Sequence, residues 1–293
     1  MSSLTNSLLS FGLRRIQKGF ERRDVVAAEK RGEKFAVLAF KLDRKHRERA
    51  ISNLMLAYPD LTLEAAHSLA LETFRHFGRI TGDFLRSPAR SDDEVLASVE
   101  GADLTPYKQA ASKGKGVLGI TGHMGNFERL AHWYQANGYD MKVVARDAND
   151  AGLQEQVAGI RGGRGMIVLS RGNSARTILQ SLRENGTIGL LPDQNTDECF
   201  VPFFGKQCGT TLGPAVLHLR TGAPLVPGYC IRTGPGKYKI EIFEPMEYSR
   251  STTEPEQIMA DLNAVLESVI RKYPEQWLWL HDRWKSARRA HLL

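Results

Sequence analysis

Through the middle of the chain, short apolar runs alternate with amphipathic stretches. The apolar runs predict strands at Val117–Thr121, Lys142–Ala145, Met166–Leu169, Thr187–Leu191 and Leu225–Ile231. The stretches between them predict helices at Phe127–Asn137, Leu153–Ile160, Ala175–Glu184 and Leu212–Arg220. Strands that alternate with helices in this way form βαβ units, in which helices cover a parallel sheet. The pattern therefore predicts an α/β fold with a largely parallel sheet flanked by helices.

The residues before this region have a helical pattern. Thr62 is a typical N-cap residue, and Pro59 separates it from the helical stretch that comes before. The helix that follows Thr62 has these apolar residues at helical spacing: Leu69, Phe74, Phe77 and Ile80. Beyond the sheet, we predict a hairpin-like strand at Tyr238–Phe243 and a helix from Glu254 to Tyr273. The whole pattern predicts a single α/β domain with an N-terminal helical cap.

The composition is that of an ordinary globular protein. The chain has 293 residues, of which 42% are hydrophobic and 25% charged, so it is long enough to bury its own core. The three cysteines, at positions 199, 208 and 230, cannot all pair and do not have metal-ligand spacing. We therefore expect neither a disulfide framework nor a metal site.

The chain lacks the short motifs of several common enzyme classes. It contains no P-loop, no GxSxG nucleophile elbow and no HExxH zinc motif. A GxGxxG match at Gly114–Gly119 precedes a strand, whereas a dinucleotide-binding loop follows one and opens a helix. We interpret this match as a turn.

The net charge of +7 is concentrated at one end. Residues 1–49 hold 13 of the 40 lysines and arginines but 6 of the 33 acidic residues, which leaves the rest of the chain neutral. Such a segment suits an anionic partner, either a phospholipid surface, an acidic carrier protein or nucleic acid. Because no nucleic-acid-binding motif accompanies the charge, we expect no nucleic-acid partner.

The first residues predict an amphipathic helix. Apolar residues recur there at helical spacing: Leu4, Leu8, Leu9, Leu13, Ile16 and Phe20. Basic residues cluster toward the end of this helix, a pattern typical of helices that lie on a membrane surface. The alternative is a helix that packs on the domain's own core. We assign residues 1–40 to a basic amphipathic segment and residues 41–293 to the main domain, and we expect no transmembrane helix.

A polar cluster follows the first predicted strand. His123 comes directly after the strand and a flexible Gly122, and a helix begins a few residues later. In open α/β sheets, ligands bind at the carboxyl ends of the strands. Glu128 falls in the first turn of the helix, where it can reach the imidazole, fix its tautomer and stabilise its charged form. The alternative is a helix cap made by Asn126 or Glu128, with His123 incidental.

Other polar side chains follow neighbouring strands. Asp193 and Gln194 come after the Thr187–Leu191 strand, where they can orient a substrate or simply form a turn after Pro192. Arg146 follows the Lys142–Ala145 strand, and Arg161 and Arg164 lie farther along the chain. Arginine forks suit phosphate and carboxylate groups. Several βα units thus direct polar groups to one edge of one sheet.

These residues resemble a known family. The His123–Glu128 segment (HMGNFE) is similar to the HxxxxD/E motif of the bacterial lipid A biosynthesis acyltransferases, the lauroyl and myristoyl acyltransferases of the lysophospholipid acyltransferase superfamily. Further matching segments follow in order, and they are Pro192–Gln194, Val201–Gly205, Gly213–Ala215, Arg220–Pro227 and Pro274–His281. The resemblance extends from about residue 45 to residue 285. The family usually begins with a transmembrane helix, which this chain replaces with an amphipathic start.

The resemblance implies transfer of a fatty acyl group from acyl carrier protein, or from coenzyme A, to a hydroxyl of a lipid A precursor. It implies no metal or prosthetic group. In this interpretation His123 is the general base and Glu128 its partner. The residues expected to bind substrate are Arg146, Arg164, Asp193 and Gln194. The expected location is the cytoplasmic face of the inner membrane, with peripheral attachment to its anionic surface.

Two other functions fit the same residues. One is an acyltransferase for a different envelope glycolipid, such as a phosphatidylinositol mannoside, because acceptor choice depends on pocket shape rather than on motif residues. The other is a lipid-binding protein without catalysis, which explains the basic segment but not the pairing of His123 with Glu128.

Overall fold

The N-terminal part of the protein is helical. The computed structural model describes residues 12, 14–145, 151–162, 166–170 and 174–293. Helices α1 (Val25–Leu42), α2 (Arg44–Ala57) and α3 (Leu63–Arg86) follow a helical stretch at residues 14–21. Their N-caps are Asp24, Asp43 and Thr62, each of which accepts a hydrogen bond from a backbone N–H of the first turn. The predicted helical cap and the predicted cap residue Thr62 are confirmed.

Helices α1 and α3 pack with their backbones in contact. Gly32 of α1 faces Gly78 of α3, and a Cβ atom on Gly32 would overlap the Gly78 carbonyl. Glu33 and Arg79 form a two-fold hydrogen-bonded ion pair across the same interface, at 2.9 and 3.0 Å. Of the predicted amphipathic positions within the described residues, Ile16 is exposed and Phe20 is buried. The predicted division at residue 40 falls near the end of α1 and stays a prediction.

The remaining elements form an α/β sandwich. The helices are α4 (Asp92–Ala97), α5 (Thr105–Ala111), α6 (Phe127–Ala136), α7 (Ala151–Gly162), α8 (Ala175–Arg183), α9 (Gly213–Thr221), α10 (Pro255–Lys272) and α11 (Lys285–Arg289). The strands are β1 (Val99–Glu100), β2 (Val117–Ile120), β3 (Met141–Ala145), β4 (Ile167–Ser170), β5 (Thr187–Leu190), β6 (Cys199–Phe203), β7 (Lys206–Thr210), β8 (Leu225–Gly234) and β9 (Lys237–Ile242).

Seven strands form one sheet in the order β1-β9-β8-β2-β5-β3-β4. Strands β8 and β9 pair antiparallel, as the hairpin-like pattern predicted, and the other neighbouring pairs of this sheet are parallel. The largely parallel sheet flanked by helices is therefore confirmed. Strands β2 and β5 end side by side, whereas β8 continues past them, and the turns that follow β2 and β5 lie at the edge where the sequence predicts a site.

A second, small sheet is the hairpin of β6 and β7. It packs against α10 and, with the C-terminal segment, surrounds a buried aromatic cluster. The rings of this cluster are Phe203, Phe204, Trp277, Trp279 and Trp284, in mostly edge-to-face contact. The three tryptophans are almost completely buried, and Trp277 brings the C-terminal segment next to the carboxyl edge of the large sheet. Within the described ranges, no helix is long and apolar enough to cross a bilayer.

Candidate active site

The turn between β2 and α6 is pressed against strand β8. Gly125 has a φ of +59°, and a Cβ atom there would overlap the Cys230 carbonyl, so this position requires glycine. The next residue, Asn126, donates its backbone N–H to the same carbonyl at 2.7 Å, and its side chain caps α6 by accepting from Arg129 N at 3.0 Å. These contacts fix His123 at the carboxyl edge of the sheet.

A buried ionic cluster contacts the start of α6. Asp83 of α3 accepts hydrogen bonds from the Asn126 side chain at 2.9 Å and from Arg129 at 2.8 Å, and it also pairs with Arg90. Asp83, Arg90 and Arg129 are all buried. Removing one partner of a buried ion pair typically costs about 3–5 kcal/mol, because the other charge is left uncompensated. This cluster therefore connects the N-terminal helical cap directly to the active-site turn.

The carboxylate that contacts the His123 ring belongs to Asp193. Its Oδ1 lies 2.9 Å from His123 Nδ1, and its Oδ2 accepts the His123 backbone N–H at 2.7 Å. Asp193 follows β5, which pairs with β2 in parallel, so the topology brings the two residues together. With Nδ1 directed at a carboxylate, Nε2 is the ring nitrogen left to accept a proton. The sequence had grouped Asp193 with the substrate-binding residues.

The electrostatics of the pair favour a charged ring. Burial alone would lower the pKa of His123, but the charge of Asp193 and its hydrogen bond to the ring outweigh burial and raise that pKa above its usual value. Burial alone would likewise raise the pKa of Asp193, and the charge of His123 with its two hydrogen bonds lowers it to about 2. Asp193 therefore stays ionised at neutral pH and stabilises a protonated imidazole.

Glu128 does not make the ring contact that the sequence predicts. It accepts hydrogen bonds from Arg161 Nε at 3.0 and 3.2 Å and pairs with the same guanidinium through Nη2. The Arg161 side chain also lies over the Phe84 ring. The negative charge of Glu128 still helps to raise the pKa of His123, while Arg161 has the opposite effect. Glu128 thus acts on His123 through charge rather than through a hydrogen bond.

A cavity of about 520 Å³ opens beside the His123 ring. Its polar lining includes His123, Glu128, Arg161 and Gln194, together with Asn195, Thr196, Glu198 and Thr211. Apolar residues from the sheet and from the helices also line it, among them Ala131, Tyr134, Met141, Val143, Ile178 and Leu190. Cavities of this size with an apolar wall and few polar groups are typical of small-molecule and lipid sites.

The structure accounts for part of the predicted site. It brings His123, Glu128 and Gln194 into the lining of one cavity, and it places Asp193 against the His123 ring. The predicted substrate-binding residues Arg146 and Arg164 lie outside the described residues, as do the predicted membrane-contacting residues Leu4, Leu8, Leu9 and Leu13. Their roles stay predictions.

Two contacts of the site were not predicted. The sequence offered Arg161 as a possible fork for phosphate or carboxylate groups, and the structure pairs it instead with the carboxylate of Glu128 in the cavity. Trp277 donates its indole N–H to Asp193 Oδ2 at 3.1 Å. The sequence signal for Trp277 was the unusual density of tryptophan in the C-terminal tail, which is equally typical of a structural core.

Comparison with known proteins agrees with this geometry. The family model described as bacterial lipid A biosynthesis acyltransferase matches residues 25–286. The chain belongs to the bacterial lipid A biosynthesis acyltransferase family. The resemblance carried by the His123–Glu128 segment and the later segments is thus confirmed.

Among the curated relatives of this acyltransferase is the lipid A biosynthesis palmitoleoyltransferase of Escherichia coli (strain K12), which is 26% identical over 87% of this chain and 84% of its own length. The lauroyltransferase of the same organism is 24% identical over 85% of this chain and 82% of its own. The phosphatidylinositol mannoside acyltransferase of Mycolicibacterium smegmatis is 25% identical over 74% and 73%. Relatives named for different acyl groups and acceptors thus match about equally well, and the chain is placed in acyl transfer for envelope glycolipids.

Proposed function

We propose that this acyltransferase moves a fatty acyl group from acyl carrier protein to a hydroxyl of a lipid A precursor, with His123 as general base. The observation that carries the proposal is the hydrogen bond between His123 Nδ1 and the buried, ionised Asp193, beside a cavity with a largely apolar lining. A base and a cavity for a hydrocarbon chain are the two elements that acyl transfer from a thioester requires. The alternatives are coenzyme A as donor and a phosphatidylinositol mannoside as acceptor.

The proposed reaction is a direct transfer. His123 Nε2 takes the proton from the acceptor hydroxyl while the hydroxyl oxygen attacks the carbonyl carbon of the thioester. The tetrahedral intermediate collapses as the C–S bond breaks, and the leaving thiolate takes the proton from Nε2. Asp193 stabilises the imidazolium between these two steps and keeps Nδ1 protonated throughout. The ester product and the free thiol account for all atoms.

The polar and apolar parts of the cavity have separate roles in this proposal. The apolar wall formed by the sheet and α6 takes the acyl chain, since each buried methylene contributes about 0.8 kcal/mol. Gln194 lines the same cavity as His123, and we expect it to contact the thioester or the acceptor. Arg146 and Arg164 remain proposed ligands of anionic groups on the substrates. We expect the reaction to need no metal or prosthetic group.

A transfer assay tests the proposal directly. The purified protein is incubated with a donor whose acyl group is radiolabelled, either acyl-acyl carrier protein or acyl-CoA. The acceptor is either a lipid A precursor or a phosphatidylinositol mannoside, and the lipid products are separated. We expect label in the lipid A precursor with the carrier-bound donor. Label in the phosphatidylinositol mannoside alone would show that the mannoside, rather than a lipid A precursor, is the acceptor. Tight acyl-chain binding without any transfer would favour the lipid-binding alternative.

Glu128→Gln is expected to lower activity less than the loss of Asp193. The amide still accepts a hydrogen bond from Arg161, but the uncompensated arginine charge then disfavours protonation of His123. We expect a fall in kcat of about tenfold, within the range of general-base effects, and an acid limb of the pH profile that moves to lower pH. The measurement is kcat/KM against pH. A loss as large as that of Asp193→Asn would instead place Glu128 in direct contact with the reacting groups.

For the membrane, we propose peripheral attachment to the anionic cytoplasmic face of the inner membrane. Helix α1, which contains the end of the basic segment, presents an apolar stripe made by Phe35, Leu38 and Leu42, which are 54%, 52% and 75% exposed. Exposed basic residues flank this stripe at Arg31, Lys34, Lys41 and Lys45. Apolar side chains between cations are the features that bind an interfacial helix to anionic lipid. This stripe would keep the cavity close to its lipid acceptor.

The double substitution Phe35→Ser/Leu38→Ser is expected to weaken binding to anionic vesicles by about tenfold or more, because it removes most of the apolar area of the stripe. Co-sedimentation with phosphatidylglycerol vesicles at low and high salt measures the effect. The matched control is Ile167→Ser/Val216→Ser, since these two side chains are each 48% exposed on other elements. Equal loss in both variants would mean that the stripe is not the membrane contact.

A further inference from the structure

The C-terminal segment runs directly along the active-site turn. Gln276 O accepts the Gly125 backbone N–H at 2.8 Å, and Leu278 N donates to His123 O at 3.2 Å. Trp277, which lies between these two residues, pairs with Met124 in an isolated antiparallel β-bridge. The segment is itself fixed to β8, because the Gln276 side chain both accepts from Arg232 N and donates to Arg232 O, at 3.0 Å each. The turn that carries His123 is therefore held on both sides, by β8 and by the C-terminal segment.

The Trp277 side chain reaches the other half of the catalytic pair. Its Nε1 lies 3.1 Å from Asp193 Oδ2, and both side chains are buried. Asp193 thus accepts three hydrogen bonds, of which two come from His123 and the third from a residue 84 positions later in the chain. The third bond holds the oxygen that does not contact the ring. Rotation of the carboxylate away from Nδ1 would break the bond to the indole.

We propose that Trp277 is a positioning residue of the catalytic pair, and that its indole N–H fixes the orientation of the Asp193 carboxylate and disperses part of its charge. This inference rests on the proposed role of His123 and Asp193. It goes beyond the core-packing role that the aromatic contacts of Trp277 with Phe203, Trp279 and Trp284 would suggest. A group that only fills the core would not alter the titration of His123, whereas a donor on Oδ2 does so through Asp193.

The chain contains a matched control two residues away. Trp279 is equally buried in the same aromatic cluster, but its indole N–H donates to the Pro274 carbonyl rather than to a catalytic group, at 2.6 Å. Trp277→Phe and Trp279→Phe therefore remove the same ring volume and the same N–H group from the same core. Replacement of Trp277 by benzothienylalanine, which has sulfur in place of the N–H, keeps the shape of the ring and removes only the donor.

The experiment follows the His123 ring by NMR as a function of pH in full-length protein with labelled imidazole. The Trp277→Phe and benzothienylalanine variants are expected to raise the pKa of His123 above that of the wild type, because the undispersed carboxylate charge stabilises the imidazolium more strongly. Trp279→Phe is expected to leave the titration unchanged. In the transfer assay, we expect kcat to fall about tenfold for the Trp277 variants with little change in KM, as for loss of one hydrogen bond to a charged group.

The His123 titrations of the Asp193 and Trp277 variants distinguish a failure of this inference from a failure of the proposed function. If Asp193→Asn shifts the titration of His123 but the Trp277 variants behave like Trp279→Phe, the inference is wrong and the proposed pair stands. If neither Asp193→Asn nor the Trp277 variants shift the titration, the proposed pair itself fails. Because the NMR titration needs no substrate, both outcomes can be read even where the acceptor is the wrong glycolipid.

Discussion

His123→Ala is expected to lower kcat for acyl transfer by about 10²- to 10⁴-fold, the usual contribution of a positioned general base. Among the described residues of the turn, Asn126 also donates its side chain to a carboxylate, but an amide is not a base and cannot replace His123. The residual rate comes from holding donor and acceptor together in the cavity. Single-turnover measurement with a bound acyl donor separates the chemical step from substrate binding.

The matched control for this variant is His291→Ala. His291 is exposed near the C-terminus and does not line the cavity, so its loss should leave kcat unchanged. Far-ultraviolet circular dichroism and thermal unfolding of both variants verify the fold. If purified His123→Ala retained wild-type turnover with an intact fold, the general-base assignment would be wrong.

Asp193→Asn is the second variant with a large expected effect. The amide has nearly the same shape but no charge, so it can neither stabilise the imidazolium nor select the tautomer with a proton on Nδ1. We expect kcat to fall by about 10³- to 10⁴-fold, as for the carboxylate of a catalytic triad. Asp197→Asn is the matched control, because Asp197 is exposed four positions later on the same loop.

The pH profile of the Asp193→Asn variant has a defined direction. A general base must be unprotonated, so kcat/KM of the wild type rises with pH as His123 loses its proton, above the usual histidine value. Without the carboxylate charge, burial becomes the dominant influence and lowers the pKa of His123. The rising limb of the residual activity should therefore move to lower pH. If the rising limb of the pH profile did not move, Asp193 would not determine the pKa of His123.

The fold could be predicted from the sequence to a large extent, because its signals are local. Apolar runs and helical spacing found the five adjacent parallel strands β8, β2, β5, β3 and β4, and Thr62 and Asn126 are caps that the sequence itself shows. The β6–β7 hairpin was missed, because Pro202 interrupts its first strand and a Phe204–Gly205 turn with positive φ angles connects the two strands.

The site was predicted less completely, because its decisive contacts join distant parts of the chain. Proximity along the chain favoured Glu128, five residues from His123, as the partner of the ring. The structure gives that contact to Asp193, since parallel pairing of β2 and β5 aligns the ends of strands 70 residues apart. The contact of Trp277 with Asp193 depends on a tail that crosses the turn, and no local pattern encodes such a crossing.

The most direct test of the central claim is mass spectrometry of envelope lipids from cells with and without this gene. The deletion strain is complemented with wild type, His123→Ala or His291→Ala. We predict a glycolipid that is lighter by one acyl chain in the deletion strain, and its restoration by wild type and His291→Ala but not by His123→Ala. Restoration of the full acyl chain by His123→Ala would contradict the account.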